Sequence, residues 1–426
     1  MRFRKFIKQR TSPPLLGVYA TSLTFLFTLV RGVQHLGLSD AHDYVNEASG
    51  MLNGWSYMAS NPNLFGHGFG FTFLIATTFF VTGSSSLLIL KLFLAIAHGC
   101  STFLVARIGI LIGLEKKYWT TAALFFLIDP FILLAATDIQ TESLTTLIVL
   151  YWCYLYLAPF KNLTQSKRNV LLFSLSGFYS VIMRPNSLLP FVFIAFAIFL
   201  KWRKEEIHTL VLAGSTLLFI FLIGVFEVFL SRLYSGFVFL SPVGGTNAEF
   251  MCRTEFIPQY LGFASSAKNA QINSIVSTSQ SAEFLLQNPS LSIPQLNHEL
   301  VSVGVHTCLS HPFQSVGIMI LKVFALWRPF TVLGAYGLKV MIFTFLLWLP
   351  LTATTVWFLL RNNLAIAASK LKIYFILMSA GFTLSLLLTP TQIRHRVAFA
   401  EPFYWIFGLF FVQACAIKYA NRQKLT

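Results

Sequence analysis

Residues 87–112 read LLILKLFLAIAHGCSTFLVARIGILI, and the charged residues in this stretch are Lys91 near its start and Arg107 near its end. The run is longer than the roughly 20 residues that a helix needs to cross the hydrocarbon layer of a bilayer. Lipid offers no hydrogen-bond partners, so a single spanning segment must satisfy its backbone groups internally, as a helix. This stretch therefore predicts a transmembrane helix.

Similar runs recur along the whole chain of 426 residues, of which 56% are hydrophobic and 11% charged. A soluble globular protein carries about 25% charged residues. Such runs lie near residues 15–36, 68–83, 87–112, 118–136, 142–160, 169–183, 186–201, 208–232, 313–327, 338–360, 371–389 and 397–417. The sequence thus predicts an all-α polytopic membrane protein.

The formal net charge of +16 is explained by orientation, because Lys and Arg collect in the cytoplasmic loops of membrane proteins. We find no nucleic-acid-binding motif and expect no nucleic-acid partner. The basic clusters between the apolar runs all face the cytoplasm if two of the runs, 68–83 and 313–327, do not cross the membrane. These two would lie against the outer leaflet as interfacial helices. About ten transmembrane helices then remain, with the N-terminus and the C-terminus both cytoplasmic and the protein multi-pass in the cell (inner) membrane.

This topology divides the chain into three parts. Residues 1–232 would form a transmembrane catalytic module with a first outer loop at 37–86, residues 233–337 a large outer-face region, and residues 338–426 the C-terminal transmembrane helices. Within the outer region, apolar residues at helical spacing predict an interfacial helix from about 294 to 310. Cys252 and Cys308 share this region, and both a disulfide and two free thiols fit the sequence.

The first outer loop contains GLSDAHDYVNEASGMLNGW at 37–55. Val45, Ala48 and Leu52 recur at helical spacing, which predicts an amphipathic helix on the membrane surface. Asp40 and Asp43 share one face near its start. Taken alone, this pair is typical of helix capping and of a solvated polar face.

Other unexplained polar residues fall on the same predicted side of the membrane. Each has an ordinary structural explanation when taken alone. Asp138 and Glu142 suit a helix N-terminus. Arg184 could extend its guanidinium group to the membrane interface, and the basic residues 394–396 could bind a lipid head group. Together they place carboxylates and guanidinium groups in neighbouring short loops. Arginine binds phosphate oxygens in a bidentate way, and a carboxylate can take a proton from an acceptor hydroxyl.

In chain order, these segments resemble the GT-C glycosyltransferases, in particular the branch of the protein O-mannosyltransferases and the lipid A aminoarabinose transferase. The resemblance is carried by SDAHDYVNEASGMLNGW, IDPFILLAATDIQTESL, MRPNSLLP, SPVGGTNAEF, LSHPFQSVGIMILKVFALW and RHRVAFAEPF. The chain departs from the family pattern at His67-Gly68, where relatives carry Pro-Pro. It also has Asp40 and Asp43 in place of a tight Asp-Glu pair.

The resemblance implies a GT-C fold and transfer of a sugar, with inversion, from a polyprenyl-phosphate donor to a lipid, glycan or protein acceptor at the outer face. Asp40 would be the general base, with Asp43 as the second candidate. The implied substrate-binding residues are Tyr44, Asp138, Glu142, Arg184, Asn247, Lys322, Arg394, His395 and Arg396.

Several alternatives stay open at this stage. Some relatives hold a divalent cation between loop carboxylates, so Mg²⁺ or Mn²⁺ is a candidate cofactor, although no ligand spacing here is specific for a metal. The alternative functions are a flippase or transporter of lipid-linked sugars and an O-antigen polymerase or ligase.

Overall fold

A computed structural model describes residues 12–37, 39–54, 57–58, 68–159, 163–204, 209–241, 248, 250–265, 267–268, 271, 291–331, 333–387 and 394–423. Helices joined by short turns make up these ranges, and no strand occurs within them. The prediction of an all-α fold is confirmed.

The described part of the first half of the chain contains ten helices. They are α1 (Pro13–Arg31), α2 (Ser39–Met51), α3 (Phe69–Thr82), α4 (Leu88–Leu111), α5 (Lys116–Ile128), α6 (Pro130–Thr137), α7 (Glu142–Leu157), α8 (Leu163–Met183), α9 (Leu188–Lys204) and α10 (Thr209–Leu233). A 3-10 turn at Pro185–Ser187 precedes α9.

The second half continues after a 3-10 turn at Thr254–Phe256. Its helices are α11 (Ile257–Leu261), α12 (Ile293–Ser310), α13 (Pro312–Trp327), α14 (Leu333–Leu360), α15 (Ile366–Leu387), α16 (Arg394–Phe399) and α17 (Glu401–Gln423). Helix α12 confirms the helix predicted from about 294 to 310. It begins at a capping box in which the Ser292 backbone N–H and the Gln295 side chain are paired at 2.9 Å.

Within the described residues, seven helices are long and apolar enough to cross a membrane, or up to nine if each of two bent pairs counts as one span. The bent pairs are α5–α6, with an angle of 53°, and α12–α13, with an angle of 107°. The prediction of a multi-pass membrane protein is confirmed at this level. Helix α10 ends at Leu233, and α14 has a non-helical break at Gly337.

Small residues bring α1 and α4 close together. A Cβ added at Gly99 would lie 2.0 Å from Thr21 Oγ1 and 2.6 Å from the Gly17 carbonyl oxygen. Helices in lipid associate through such close packing, because burying apolar surface gains nothing in an apolar solvent. This contact holds α1 along the helix that carries Lys91.

The break between α5 and α6 is set by Asp129 and Pro130. The Asp129 carboxylate accepts hydrogen bonds from the backbone N–H groups of Phe131 at 3.0 Å and Ile132 at 3.2 Å, while Pro130 occupies the first turn. An Asp cap followed by Pro is a strong signal for the start of a new helix. Helix α6 therefore starts in a new direction and leads to Asp138.

Candidate functional site

The candidate site is built around the junction of residues 138–141, between α6 and α7. Asp138 follows the last residue of α6 and Glu142 is the first residue of α7, and both are buried. A carboxylate in the first turn of a helix is favoured by the positive end of the helix dipole, as the sequence predicts for Glu142. The junction thus holds two carboxylates in an apolar bundle, where each needs a partner.

Asp138 is surrounded by three basic side chains. Arg31 Nη1, at the end of α1, lies 2.6 Å from Asp138 Oδ1 and 2.8 Å from Thr137 Oγ1. Arg31 Nη2 is 2.8 Å from His35 Nε2, and Lys91 Nζ donates to the His35 carbonyl oxygen. Burial raises the pKa of the Asp138 carboxyl, and the charge of Arg31 opposes that rise.

The first loop runs directly against this carboxylate. Gly37 has φ +89°, and a Cβ added there would lie 2.3 Å from Asp138 Cγ. Only glycine fits this backbone conformation and this close approach. Asp40 follows three residues later, so chain connectivity keeps its backbone within roughly 11 Å of Gly37. The position of the Asp40 side chain lies outside the described structure.

Helix α2 confirms the helix predicted in the first loop, and its predicted apolar face is packed in part. Ala48 is buried and Val45 is half-buried, whereas Leu52 lies just after the end of α2 and is 49% exposed. Helix α3 packs against a neighbouring side of α2: the Tyr44 ring lies edge-on against Phe71, and Glu47 Oε2 accepts a hydrogen bond from Thr72 at 3.3 Å. Asp43 lies on the exposed side of α2, away from this packing.

Glu142 and Arg184 meet across two helices. Arg184 Nη2 lies 3.0 Å from Glu142 Oε1, and the two side chains are 12% and 6% exposed. Arg184 stands at the end of α8, where Pro185 starts the 3-10 turn. The structure therefore brings together two predicted site residues. We call the group formed by Arg31, Lys91, Asp138, Glu142 and Arg184 the junction cluster.

The polar contacts of Arg396 are made with residues outside the junction cluster. Its side chain is fully buried, its Nη2 lies 3.2 Å from Glu401 Oε1, and its Nη1 donates to the Arg328 carbonyl oxygen at 2.7 Å. The guanidinium also lies over the Trp348 ring, at 4.4 Å from the centroid. Its donors therefore serve protein groups.

Arg328 extends this buried group. Its Nη1 donates to the Gln259 carbonyl oxygen at 2.7 Å, and its Nε donates to the Phe330 carbonyl oxygen at 3.1 Å. Burial lowers the pKa of Arg328 to about 10, and the nearby charge of Arg396 adds to that effect. We call Arg328, Arg396 and Glu401 the buried arginine network.

Sequence reasoning missed Arg31, Lys91, Arg328 and Glu401 as members of these two groups. Each stands within a few residues of the edge of an apolar run, where a charged residue looks like the ordinary boundary of a span. A usable signal was the spacing of five residues between Arg396 and Glu401, which places opposite charges on either side of one helix break.

The remaining predicted residues are placed as follows. Lys322 is buried on α13 and its Nζ donates to the Leu387 carbonyl oxygen at 2.8 Å, at the end of α15. Arg394 and His395 begin α16, but their side chains lie outside the described structure, as does Asn247. Helix α16 packs against α7, since Val397 shares a small internal void with Ser143 and Thr146.

Among the described side chains, no group of three or more His, Cys, Asp or Glu residues is placed to hold a metal ion. Asp138 and Glu142 are each paired with an arginine, and basic groups surround Asp138. These described carboxylates therefore do not by themselves form a ligand set for Mg²⁺ or Mn²⁺.

The other end of the bundle has a different character. There, Lys201 Nζ on α9 donates to the Leu155 carbonyl oxygen at 2.9 Å, near the end of α7. Glu142 is the first residue of α7, whereas Leu155 is near its end. Arg184 lies shortly before the start of α9, whereas Lys201 is near the end of α9. The junction cluster therefore belongs to one end of the bundle.

Comparison of the chain with protein-family models, with curated proteins and with solved structures gives no match.

Proposed function

We propose that this protein is a membrane glycosyltransferase of the GT-C type, which moves a sugar from a polyprenyl-phosphate donor to an acceptor at the outer face of the cell membrane. The observation that carries the proposal is the junction cluster. Two carboxylates from one buried junction are each paired with an arginine from a different helix, and the acidic first loop packs on one of them.

The proposed topology has about ten spans, cytoplasmic termini, and α3 and α13 against the outer leaflet. Helix α3 has 14 residues and is therefore about 21 Å long, shorter than the hydrocarbon layer of about 30 Å. Helix α13 turns by 107° from α12, which suits a helix leaving the direction of its neighbour. The bond between Cys252 and Cys308 supports an outer location for this region, because disulfides persist in oxidising compartments.

In the proposed reaction, the acceptor hydroxyl attacks the anomeric carbon and gives its proton to the Asp40 carboxylate. A carbon–oxygen bond forms to the acceptor while the bond from the anomeric carbon to the phosphate oxygen breaks, and polyprenyl phosphate leaves. Negative charge gathers on that phosphate in the transition state, and cations held in place beforehand stabilise it. Arg31 and Arg184 are better placed for this role than Arg396, because their side chains keep 21% and 12% exposure whereas that of Arg396 is fully buried.

The test is replacement of Asp40 in cells that otherwise lack the gene. Mass spectrometry of envelope glycans and lipids, with and without the gene, identifies the transferred sugar and its acceptor. We expect Asp40→Asn to give the profile of the strain without the gene at an unchanged protein level. The matched control is Asn46→Ala, an exposed position on the same helix, which should restore the product.

Two results would overturn the proposal. Identical glycan profiles with and without the gene would remove the transferase function, and normal product with Asp40→Asn would remove the assigned base. Movement of intact polyprenyl-phosphate sugar across vesicles containing the purified protein, without transfer, would identify the flippase alternative instead.

A further inference from the structure

A cavity of about 510 Å³ lies between residues 252–255 and the bend from α12 to α13. Its volume falls within the range of pockets that hold small-molecule ligands. The polar groups that line it come from Arg253, Thr254, Glu255, Thr307, His311 and Gln314. None of these residues belongs to the junction cluster or to the buried arginine network.

The two walls of the cavity are joined covalently. Cys252 is the first residue of one wall, Cys308 lies next to Thr307 in the other, and the two cysteines form a disulfide. Across the bend, Ser315 Oγ donates to the Cys308 carbonyl oxygen at 2.9 Å. The separation of the walls is thus determined by bonds within the protein and does not require a ligand.

The lining chemistry selects the class of ligand. Arg253 offers hydrogen-bond donors and Glu255 offers acceptors, while Thr254, Thr307 and Gln314 offer both. A lipid chain would offer no hydrogen bonds to these groups, an anion would meet the like charge of Glu255, and a cation would meet the like charge of Arg253. The hydroxyl groups of a neutral sugar donate and accept, so they can pair with both charged side chains at once.

A chain of contacts leads from this cavity to the catalytic end of the bundle. The wall at 252–255 continues into α11, whose carbonyl groups are held by Arg328. Arg328 in turn accepts from Arg396 on α16, and α16 packs on α7 just after Glu142. A ligand in the cavity would therefore contact a segment that is connected, through Arg328 and α16, to α7.

We propose that this cavity binds a neutral carbohydrate portion of the acceptor. The assignment of the ligand as acceptor rests on the proposed glycosyltransferase function, whereas the carbohydrate site itself rests on the cavity alone. Two measurements keep these statements separate.

The first measurement is binding of the full-length protein in nanodiscs to an array of defined neutral and acidic oligosaccharides. We expect binding to neutral members. Thr307→Trp, which fills the cavity, and Glu255→Gln, which weakens a charged acceptor, should each reduce that binding about tenfold or more. The matched control is Val305→Trp on the same helix, because Val305 is 43% exposed and does not line the cavity. It should bind like the unmodified protein.

Several outcomes overturn the carbohydrate site: no binding to any member of the array, binding confined to acidic members, displacement by inorganic phosphate, or equal binding by Thr307→Trp. The second measurement uses the acceptor found from the glycan profiles. Thr307→Trp should raise KM for that acceptor and leave KM for the donor unchanged, and an unchanged acceptor KM overturns the acceptor assignment. If neutral glycans bind but the gene changes no envelope glycan, the glycosyltransferase proposal fails and the carbohydrate site stands.

Discussion

The junction cluster and the buried arginine network both place arginine–carboxylate pairs inside an apolar bundle. They differ in the sequence separation of the paired residues and in the exposure of their side chains. Arg31 is 107 residues from Asp138 and retains 21% side-chain exposure, and Arg184 retains 12%. Arg396 is five residues from Glu401, and the two side chains are 0% and 1% exposed. The arginines of the first group are thus partly accessible, whereas Arg396 in the second group is fully enclosed by the protein.

This contrast separates function from folding. Breaking a fully buried ion pair leaves an uncompensated charge and costs about 3–5 kcal/mol, while replacing both partners with neutral groups of similar volume is often tolerated. Cations near a reacting phosphate act on the transition state instead. We therefore expect mutations in the two groups to change different measured quantities.

The largest expected effect is that of Arg396→Met. Glu401 would stay buried without its partner, so we expect a loss of about 3–5 kcal/mol in the free energy of unfolding. Thermal unfolding in detergent and the amount of folded protein in membranes measure this loss. The double variant Arg396→Met with Glu401→Gln should recover part of the stability. Equal stability of Arg396→Met and the unmodified protein would contradict the structural role of the network.

For Arg184→Met we expect the proposed sugar transfer to fall by about 10²–10³-fold, the size typical of removing one group that stabilises transition-state charge. The reduction in stability should be smaller than that of Arg396→Met, because the Arg184–Glu142 pair is less buried. Transfer rate per folded molecule is the measurement, and Arg184→Lys, which keeps the charge, should retain part of the activity. Unchanged transfer by Arg184→Met would remove Arg184 from the site.

Removing the Cys252–Cys308 disulfide by a Cys252→Ser, Cys308→Ser double substitution should destabilise the region around the cavity by about 2–4 kcal/mol. The bond joins segments 56 residues apart, so its loss frees a long loop in the unfolded state. Faster amide exchange in residues 250–265 and 291–311 would report this change, with α1 and α4 as the internal control. Uniformly faster exchange in all of these segments would contradict a local effect.

Gly37→Ala should reduce transfer with a stability loss of about 1–2 kcal/mol, because alanine disfavours the positive φ of Gly37 and its Cβ would meet Asp138. Gly32→Ala is the matched control: Gly32 also has a positive φ, but an added Cβ would meet nothing within 4 Å. Transfer rates of the two variants separate the contact with Asp138 from backbone strain. Equal rates would indicate that the contact is unimportant.

The smallest effect is expected at Leu52, the residue that follows helix α2. Leu52→Ser should change the free energy of unfolding by no more than about 0.5 kcal/mol, because Leu52 is exposed. Ala48→Leu should destabilise more, by about 1–3 kcal/mol, because Ala48 is fully buried against its neighbours. Thermal unfolding of the two variants tests whether the apolar face of α2 is packed only as far as Ala48, and the reverse order of stabilities would contradict that packing.

Local signals carried most of the helix predictions. These signals are the apolar runs, the Asp129-Pro130 start of α6 and the apolar spacing in α12. Each is formed by residues that are close together in the sequence, so its structural consequence can be predicted without knowing the fold. Helix α2 shows where this reasoning ends. Hydrophobic spacing grouped Val45, Ala48 and Leu52 on one face, but it did not predict that α3, which begins 18 residues after α2 ends, packs against the Tyr44 side while Leu52 stays exposed.

The sequence by itself determined that this is an all-helical, multi-pass membrane protein and where most of its helices run, because hydrophobicity and capping act over a single turn or a single span. Only the tertiary structure decided which charges meet: Arg31 with Asp138, Arg184 with Glu142, and Arg396 with Glu401. A buried charge needs a partner but does not specify it locally, and the choice depends on which helices pack side by side.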